Sequence, residues 1–258
     1  MGIKFVLSSA RQIKTSITDK ECTEPLFAED TSTILDKLKN YAPWELESIL
    51  KANANIAMKA FVDIQDFHCD ETITPAMFAY DGLVYKHLAP FHLSNRAAQY
   101  SQSVMRIISA LYGLLRPFDG IRPYRLEMQS KIKINDKSLY DFWDDKIYRS
   151  LFESGNCVIN LASEEYAKTI RKHLNPWDMF IDIIFLSNIK GRRKISTTTA
   201  KMARDQMARF ILENAIDTPG PLKDFDWGGF RYVKSLSYST RYVYIQHTAD
   251  FAAFMNGS

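Results

Sequence analysis

The sequence contains no long apolar run. About eighteen consecutive apolar residues are needed to cross a lipid bilayer, and no stretch of the 258 residues approaches that length. The short run Phe5–Leu7 lies between Lys4 and Arg11 and is too brief for the core of a secretory signal. We therefore expect a soluble cytoplasmic protein with no membrane partner.

Cysteine is scarce, and the common catalytic signatures are missing. Cys22, Cys69 and Cys157 are far apart, and their odd number and spacing favour neither a disulfide framework nor a metal site. His87 and His92 are five residues apart with no glutamate between them, so the zinc protease motif is absent. Ser-His-Asp, Cys-His, phosphate-loop and dinucleotide signatures are absent as well. The sequence predicts no metal and no cofactor, and it names no reaction.

Charge and composition leave the partner open. The formal net charge is +3, and the hydrophobic content of 46% is ordinary for a globular chain with a sizeable core. So small a charge neither requires nor excludes a nucleic acid, because clustering on one face matters more than the total. No repeat or linker marks a boundary, so residues 1–258 are expected to form a single domain. The oligomeric state is left open.

Apolar periodicity predicts short strands that alternate with longer helices. Strands are predicted at Ile3–Leu7, Lys131–Ile134, Val158–Leu161, Met179–Leu186, Lys194–Thr198, Arg231–Ser237 and Thr240–His247. Helices are predicted at Thr31–Asn40, from Pro43, through Ala52–Val62, and at Asn95–Leu115, Leu139–Leu151 and Thr199–Asn214. This alternation is typical of an α/β or mixed α+β chain.

The most informative stretch is Ser109–Met128, which reads SALYGLLRPFDGIRPYRLEM. Pro117 and Pro123 stiffen a loop that carries Arg116, Arg122, Tyr124 and Arg125. Arginine offers a planar fork of donors that suits phosphate or carboxylate, so the loop is a candidate anion site. The alternative is that these arginines cap carbonyls and pair with neighbouring acids, such as Asp119 and Glu127, across a surface turn.

Three segments in the same order resemble the YaaA family of bacterial peroxide stress proteins. They are the LYGLLRP and PYRLEM parts of the central stretch, LYDFW at Leu139–Trp143, and VINLASEEY at Val158–Tyr166. The resemblance implies a single compact α/β domain of unusual topology with a positively charged cleft. It also implies a cytoplasmic role in the hydrogen peroxide response, in which the protein binds DNA and limits iron-driven oxidative damage.

The resemblance carries candidate binding residues onto separate segments of the chain. Two of them follow predicted strands: Arg11 lies where the family has a lysine, and Ser163 is the expected N-cap of a helix. Arginine stays protonated, so Arg11 cannot replace a lysine that carries a proton. The full set of candidate binding residues is Arg11, Arg116, Arg122, Tyr124, Arg125, Asn160, Ser163, Lys201 and Arg204. We expect these residues to meet in one cleft.

Further positions depart from the family pattern. Asp81 lies where the family usually has a lysine, and Asp205 lies where it has a glycine. In the region that resembles a helix-hairpin-helix, residues 53–61 contain no glycine, which weakens the DNA-binding interpretation. Asn53 or Asn55 could take the left-handed conformation instead, because asparagine tolerates it.

Two functions compete at this point. The first is the DNA-binding peroxide stress protein that the resemblance implies. The second is a divergent enzyme for a small anionic or nucleotide-like substrate, with Asp81 or Glu164 as general base and Tyr124 as acid. Asp81 beside Gly82 is also typical of an ordinary turn. A structural or partner-binding protein is a third option, but no exposed amphipathic seam favours it.

Overall fold

A computed structural model describes residues 2–16, 18, 20–67, 73–153, 155–189 and 192–247. Its strands are β1 Lys4–Ser8, β2 Gln12–Ile13, β3 Thr74–Pro75, β4 Tyr80–Asp81, β5 Met105–Ser109, β6 Gly113–Leu115, β7 Gly120–Ile121, β8 Cys157–Asn160, β9 Met179–Ile189, β10 Arg192–Lys194, β11 Phe230–Tyr232 and β12 Arg241–Gln246. Its α-helices are α1 Ala28–Lys39, α2 Pro43–Leu50, α3 Ala54–Gln65, α4 Ala76–Ala79, α5 Leu83–Leu88, α6 Asn95–Val104, α7 Leu139–Trp143, α8 Lys146–Phe152, α9 Glu164–Arg171 and α10 Thr197–Glu213. Cys69 lies outside the described residues.

The main sheet has the strand order β11-β12-β9-β8-β1-β5-β6, and β10 forms a hairpin with the end of β9. The five central strands, β12, β9, β8, β1 and β5, run parallel, whereas β11 and β6 pair antiparallel at the two edges. In the centre, Phe5 lies between Met105 of β5 and Ile159 of β8, and all three side chains are buried. Parallel strands covered on both faces need such unbroken apolar runs. The prediction of a mixed α/β chain is confirmed.

The chain changes direction across the sheet at β1. From β1 it runs to β5 on one side, and it later returns to β8 on the other side before continuing outward to β9 and β12. The carboxyl ends of β1 and β8 therefore form a topological switch point, where open α/β sheets commonly bind ligands.

The predicted helix over Asn95–Leu115 is wrong in its second half. Helix α6 ends at Val104, and the following residues form β5 and β6, which pair antiparallel. A short apolar run fits a buried strand and a buried helix equally well by period, and the β-branched Ile107 and Ile108 favour the strand. Gly113 has a φ of 70°, and a Cβ there would lie 2.6 Å from the ring of Trp143. The turn into β6 therefore requires glycine.

Smaller expectations also change. Lys131–Ile134 forms no strand, because Ile134 pairs only with Lys137 around a turn whose two central residues have positive φ. The helix predicted at Leu139–Leu151 is interrupted at Asp144, which has a φ of 41°, and becomes α7 and α8. The strand predicted at Lys194–Thr198 ends at Lys194, since α10 begins at Thr197. In the first two cases residues with positive φ end the predicted element, and in the third the next helix does.

Helices α2 and α3 form a short helical hairpin without glycine. Pro43 begins α2, which suits a residue that has no N–H to bond. The left-handed position is occupied by Lys51, with a φ of 48°, so the expectation of an asparagine there is wrong. Asn53 instead caps α3, and its side-chain oxygen accepts a hydrogen bond from the Ile56 amide at 3.0 Å. Among the described residues, none of the helices has the length and apolar character needed to span a membrane.

Candidate functional site

A cavity of about 600 Å³ opens at the switch point, above the carboxyl ends of β1 and β8. We call this space the central cavity. Four basic and three acidic side chains contribute to its wall, together with the small residues that follow the two strands. Its lining includes Ser8, Ser9, Arg11, Gln12, Asp81, Arg125, Glu127, Leu161, Ser163, Glu165, Tyr166, Lys201 and Arg204. Six of the residues predicted from sequence therefore meet here: Arg11, Asp81, Arg125, Ser163, Lys201 and Arg204.

Two serines join the strand ends at the base of the cavity. The Ser163 amide donates to the Ser8 hydroxyl at 2.9 Å, and that hydroxyl lies 3.3 Å from the Ser163 hydroxyl, to which it donates. Ser163 occupies the N-cap position of α9, but its hydroxyl makes no capping hydrogen bond. The hydroxyl is therefore directed toward the neighbouring strand, where it helps to hold the cavity floor.

Arg11 and Arg125 share one carboxylate. Arg11 donates to one oxygen of Glu127 at 2.9 Å, and Arg125 donates to the other at 3.1 Å. The Nε of Arg125 is buried and has no hydrogen-bond partner within the described part of the chain. Two guanidinium groups thus face a single compensating charge.

Helix α10 contributes two further cations, Lys201 and Arg204, to the wall of the central cavity. Within the described residues, neither Lys201 nor Arg204 makes an ion pair, and the buried Nε of Arg204 has no hydrogen-bond partner. Loss of hydration lowers the pKa of Arg204 below its ordinary value, and attraction to Asp182, and to Asp205 where that group is ionised, opposes the shift. A guanidinium held in this way is a strong site for an incoming anion.

Asp205, next along α10, is the most perturbed carboxyl group described. It is fully buried, and neither of its oxygens has a hydrogen-bond partner in the described ranges. Burial raises the pKa of Asp205 to about 10, so the group is neutral at physiological pH despite its proximity to Arg204. Asp205 therefore supplies no full counter-charge to the arginine.

The acid that faces the cavity is Glu165 rather than Glu164. The side chain of Glu164 is 73% exposed and pairs with Arg171 outside the cavity. Glu165 lines the cavity and accepts a hydrogen bond from the Gln129 amide at 3.2 Å. Burial raises the pKa of Glu165. Glu165 and Tyr166 line the cavity but were not predicted as site residues, although both belong to the family-like segment ASEEY.

Asp81 lines the central cavity and Tyr124 does not, and both side chains are engaged in other contacts. Asp81 forms an ion pair with Lys14. The hydroxyl of Tyr124 is buried, 2.8 Å from both the Tyr80 and the Ser109 hydroxyls. Burial raises the pKa of Tyr124, so the phenol stays protonated. Because this hydroxyl is bound inside the core, Tyr124 is not placed to act as an acid in the central cavity.

The other three candidates lie outside the central cavity. Arg116 donates through its Nε to buried Asp119 at 2.9 Å and through its Nη2 to the carbonyl of Glu24 at 2.7 Å. Arg122 lies over the ring of Phe67, 5.8 Å from its centroid. Asn160 donates to Asp182 at 2.8 Å and accepts from the Ala162 amide at 3.0 Å. The proline-stiffened loop thus divides its arginines between internal contacts and the cavity.

Comparison with known protein sequences places the chain in a family. The sequence model of the family described as "Peroxide stress protein YaaA" matches residues 3–236. This chain belongs to the YaaA family. It is 38% identical over 244 residues to a UPF0246 protein of Agathobacter rectalis, which covers 94% of this chain and 98% of the relative. A UPF0246 protein of Ligilactobacillus salivarius is 38% identical over 247 residues, covering 95% of this chain and all of the relative. A third, from Clostridioides difficile, is 32% identical over 244 residues.

In this YaaA-family chain, metal ligation has no structural support among the residues described. No group of three or more histidine, cysteine, aspartate or glutamate side chains in those ranges is placed to hold a metal ion. Cys22 is exposed and Cys157 is half-buried, and both are free thiols. Burial raises the pKa of both thiols, which disfavours the reactive thiolate.

Proposed function

We propose that this peroxide stress protein binds DNA through phosphate contacts in and around the central cavity. The observation that carries the proposal is Arg204 on α10, whose buried Nε has no hydrogen-bond partner among the described residues and which lines the cavity together with exposed Lys201. They line the same cavity as Arg11 and Arg125, which share the single carboxylate of Glu127. An incoming phosphate would supply the missing counter-charge and accept several charge-assisted hydrogen bonds.

The helical hairpin supports the same proposal at the edge of the cavity. A small recess beside Arg11 is lined by Leu50 and Lys51 of the hairpin and by Glu127. Lys59 of α3 and Lys14 line an adjoining compartment together with Arg11, where they form ion pairs with Asp63 and Asp81 that a phosphate would have to compete with. Phosphates of a DNA backbone spaced along this edge could meet several cations in succession. Such contacts position a strand without reading its sequence.

The test is a salt-titrated binding assay with short duplex and single-stranded DNA. Each phosphate contact contributes about −0.9 to the slope of log affinity against log salt for duplex DNA. We expect Arg125→Gln and Arg204→Gln each to weaken binding and to reduce that slope by roughly one contact. Arg149→Gln is the matched control, because Arg149 is an exposed arginine on α8 that pairs with Asp145, away from the cavity.

Two outcomes of this assay would overturn the proposal. Affinity that does not change with salt would exclude a phosphate-dominated interaction. Equal losses in Arg149→Gln and Arg204→Gln would assign binding to diffuse surface charge, and the cavity would have no specific role.

A second candidate function, an enzyme for a small anion, is favoured by Glu165. This carboxyl group lies in the cavity that holds Arg125 and Arg204, and its pKa is raised by burial. A raised pKa brings a carboxyl group closer to the range useful for general acid–base chemistry. In this proposal the role assigned to Asp81 or Glu164 from sequence passes to Glu165, because Asp81 pairs with Lys14 and Glu164 is exposed.

To test this candidate function, the protein is incubated with phosphate esters and nucleotides, and NMR detects any product that forms. Glu165→Gln should abolish turnover and retain binding, since it removes the proton carrier and leaves the arginines in place. Glu164→Gln is the neighbouring control and should leave turnover unchanged. If the Glu165→Gln variant still turns over the substrate, Glu165 is not the proton carrier.

A further inference from the structure

A second compartment of about 430 Å³ adjoins the central cavity. It lies between β2, α3 and the proline-stiffened loop, and it shares Arg11, Gln12, Asp81 and Arg125 with the central cavity. Its volume falls within the range of roughly 300 to 1,000 Å³ that is typical of small-molecule sites. The two spaces are therefore neighbours with a common wall of charged residues. Below, this second space is called the side compartment.

The side compartment differs from the central cavity in its chemistry. Its walls carry apolar surface from Ile13, Ile56, Ala60, Pro123 and the ring of Tyr124. Tyr124 contributes only a small surface, since it is 5% exposed and its hydroxyl is bound inside the core by Tyr80 and Ser109. Flat apolar surfaces and an aromatic ring suit a planar, weakly polar group.

Two amide side chains line the side compartment beside the ion pairs Lys14–Asp81 and Lys59–Asp63. Gln12 and Asn55 both line it, and both are exposed. In the described part of the chain neither side chain makes a hydrogen bond, although Asn53 nearby is used as a helix cap. Asn and Gln amides carry a donor and an acceptor side by side, which matches the edge of a nucleobase. The compartment therefore offers apolar walls and unused base-reading groups.

We infer that the two spaces together form a nucleotide site, with the base in the side compartment and its phosphate against Arg11 and Arg125. The inference deepens the proposed DNA-binding function and rests on it. A base paired inside a duplex cannot enter such a compartment, so the strand must be locally unpaired. The nucleotide can come from an unpaired position in a DNA strand or from a free nucleotide.

The experiment compares a single strand with the same strand carrying one central abasic site. The two probes have the same number of phosphates, so their salt slopes should agree and only the base contribution should differ. Stacking of a base on aromatic side chains predicts roughly tenfold weaker binding of the abasic strand. A fluorescent adenine analogue at the same position should change its emission on binding, and a free nucleoside monophosphate serves as the small-ligand arm.

Matched variants on α3 locate the base. Ile56→Ser removes an apolar wall of the side compartment, whereas Met58→Ser changes an exposed apolar residue on the same helix that does not line it. We expect Ile56→Ser to bind the intact and the abasic strand equally. Met58→Ser should keep the full difference. The abasic comparison uses the unaltered protein, so it decides the question even where a variant folds poorly.

The outcomes separate this inference from the proposed function. Equal, salt-sensitive binding of intact and abasic strands would overturn the base site and leave DNA binding standing. Tight binding of the free nucleotide with no salt-sensitive strand binding would support the site and reject the DNA function. Absence of binding to every probe would overturn both.

Discussion

Arg116 and Arg204 are both arginines of family-like motifs, yet they lie in opposite electrostatic settings. Arg116 contacts buried Asp119 by an ion pair at 2.8 Å and also binds a carbonyl, so its charge is compensated inside the protein. Arg204 is largely buried and has no ion pair among the described residues. An arginine in a family motif can therefore stabilise the fold or remain available to a ligand, depending on whether an internal acid pairs with it.

The largest expected effect concerns the compensated arginine. Asp119 accepts from the Arg116 amide at 2.7 Å, from its Nε at 2.9 Å and from the Thr23 hydroxyl at 2.7 Å. We expect Asp119→Ala to lower the free energy of unfolding by about 3–5 kcal/mol, because it leaves a guanidinium unpaired. Urea unfolding measures this effect. Asp36→Ala on the exposed face of α1 is the control, and a loss below about 1 kcal/mol for Asp119→Ala would contradict the structural role.

The next effect is a pH dependence at Asp205. Its folded-state pKa is about 10 against an ordinary value of 3.8, so the folded protein retains a proton that the unfolded chain releases. The corresponding stability is fully present below pH 3.8 and is lost as the pH rises toward 10. Relative to Asp205→Asn, the unaltered protein should lose up to about 1.4 kcal/mol per pH unit within that window. The free energy of unfolding is measured for both proteins at pH 5 and pH 8. The same difference between the two proteins at both pH values would contradict this expectation.

The uncompensated arginine should behave in the opposite way to Arg116. Arg204→Met is expected to raise the free energy of unfolding by roughly 1–3 kcal/mol, because it removes a buried charge without a partner. The matched control on the same helix is Arg209→Met. Arg209 binds the carbonyls of Leu88 and His92 at 3.0 and 2.7 Å, so its loss should destabilise the protein. If both variants lose stability, Arg204 has an internal role after all.

The smallest effect is expected at the rim. Lys59 pairs with Asp63 at 2.9 Å on the surface of α3, where its side chain is 70% exposed. Such i,i+4 pairs contribute only about 0.3–0.5 kcal/mol. Lys59→Ala should therefore shift the unfolding midpoint little, and added salt should make the shift smaller still. A shift as large as that of Asp119→Ala would mean that the rim is part of the folded core.

Part of the site could be predicted from the sequence because it follows the ends of strands. The strand at β1, the strand at β8 and the residues after them were predictable from short apolar runs that end in serine. Parallel neighbours bring those ends to one edge, so Arg11 and Ser163 meet as expected. The burial and ion pairing of a given arginine depend on segments far away along the chain, which the sequence pattern does not show.

The alternation of strands and helices and membership of the YaaA family could be predicted from the sequence, because local periodicity and short motifs carry these properties. Only the folded chain shows that residues 105–109 and 113–115 form strands, that Glu165 lines the cavity in place of Glu164, and that Arg204 makes no ion pair among the described residues. The reason is physical. Strand pairing, side-chain direction and desolvation are set by contacts between distant segments, and these exist only in the folded chain.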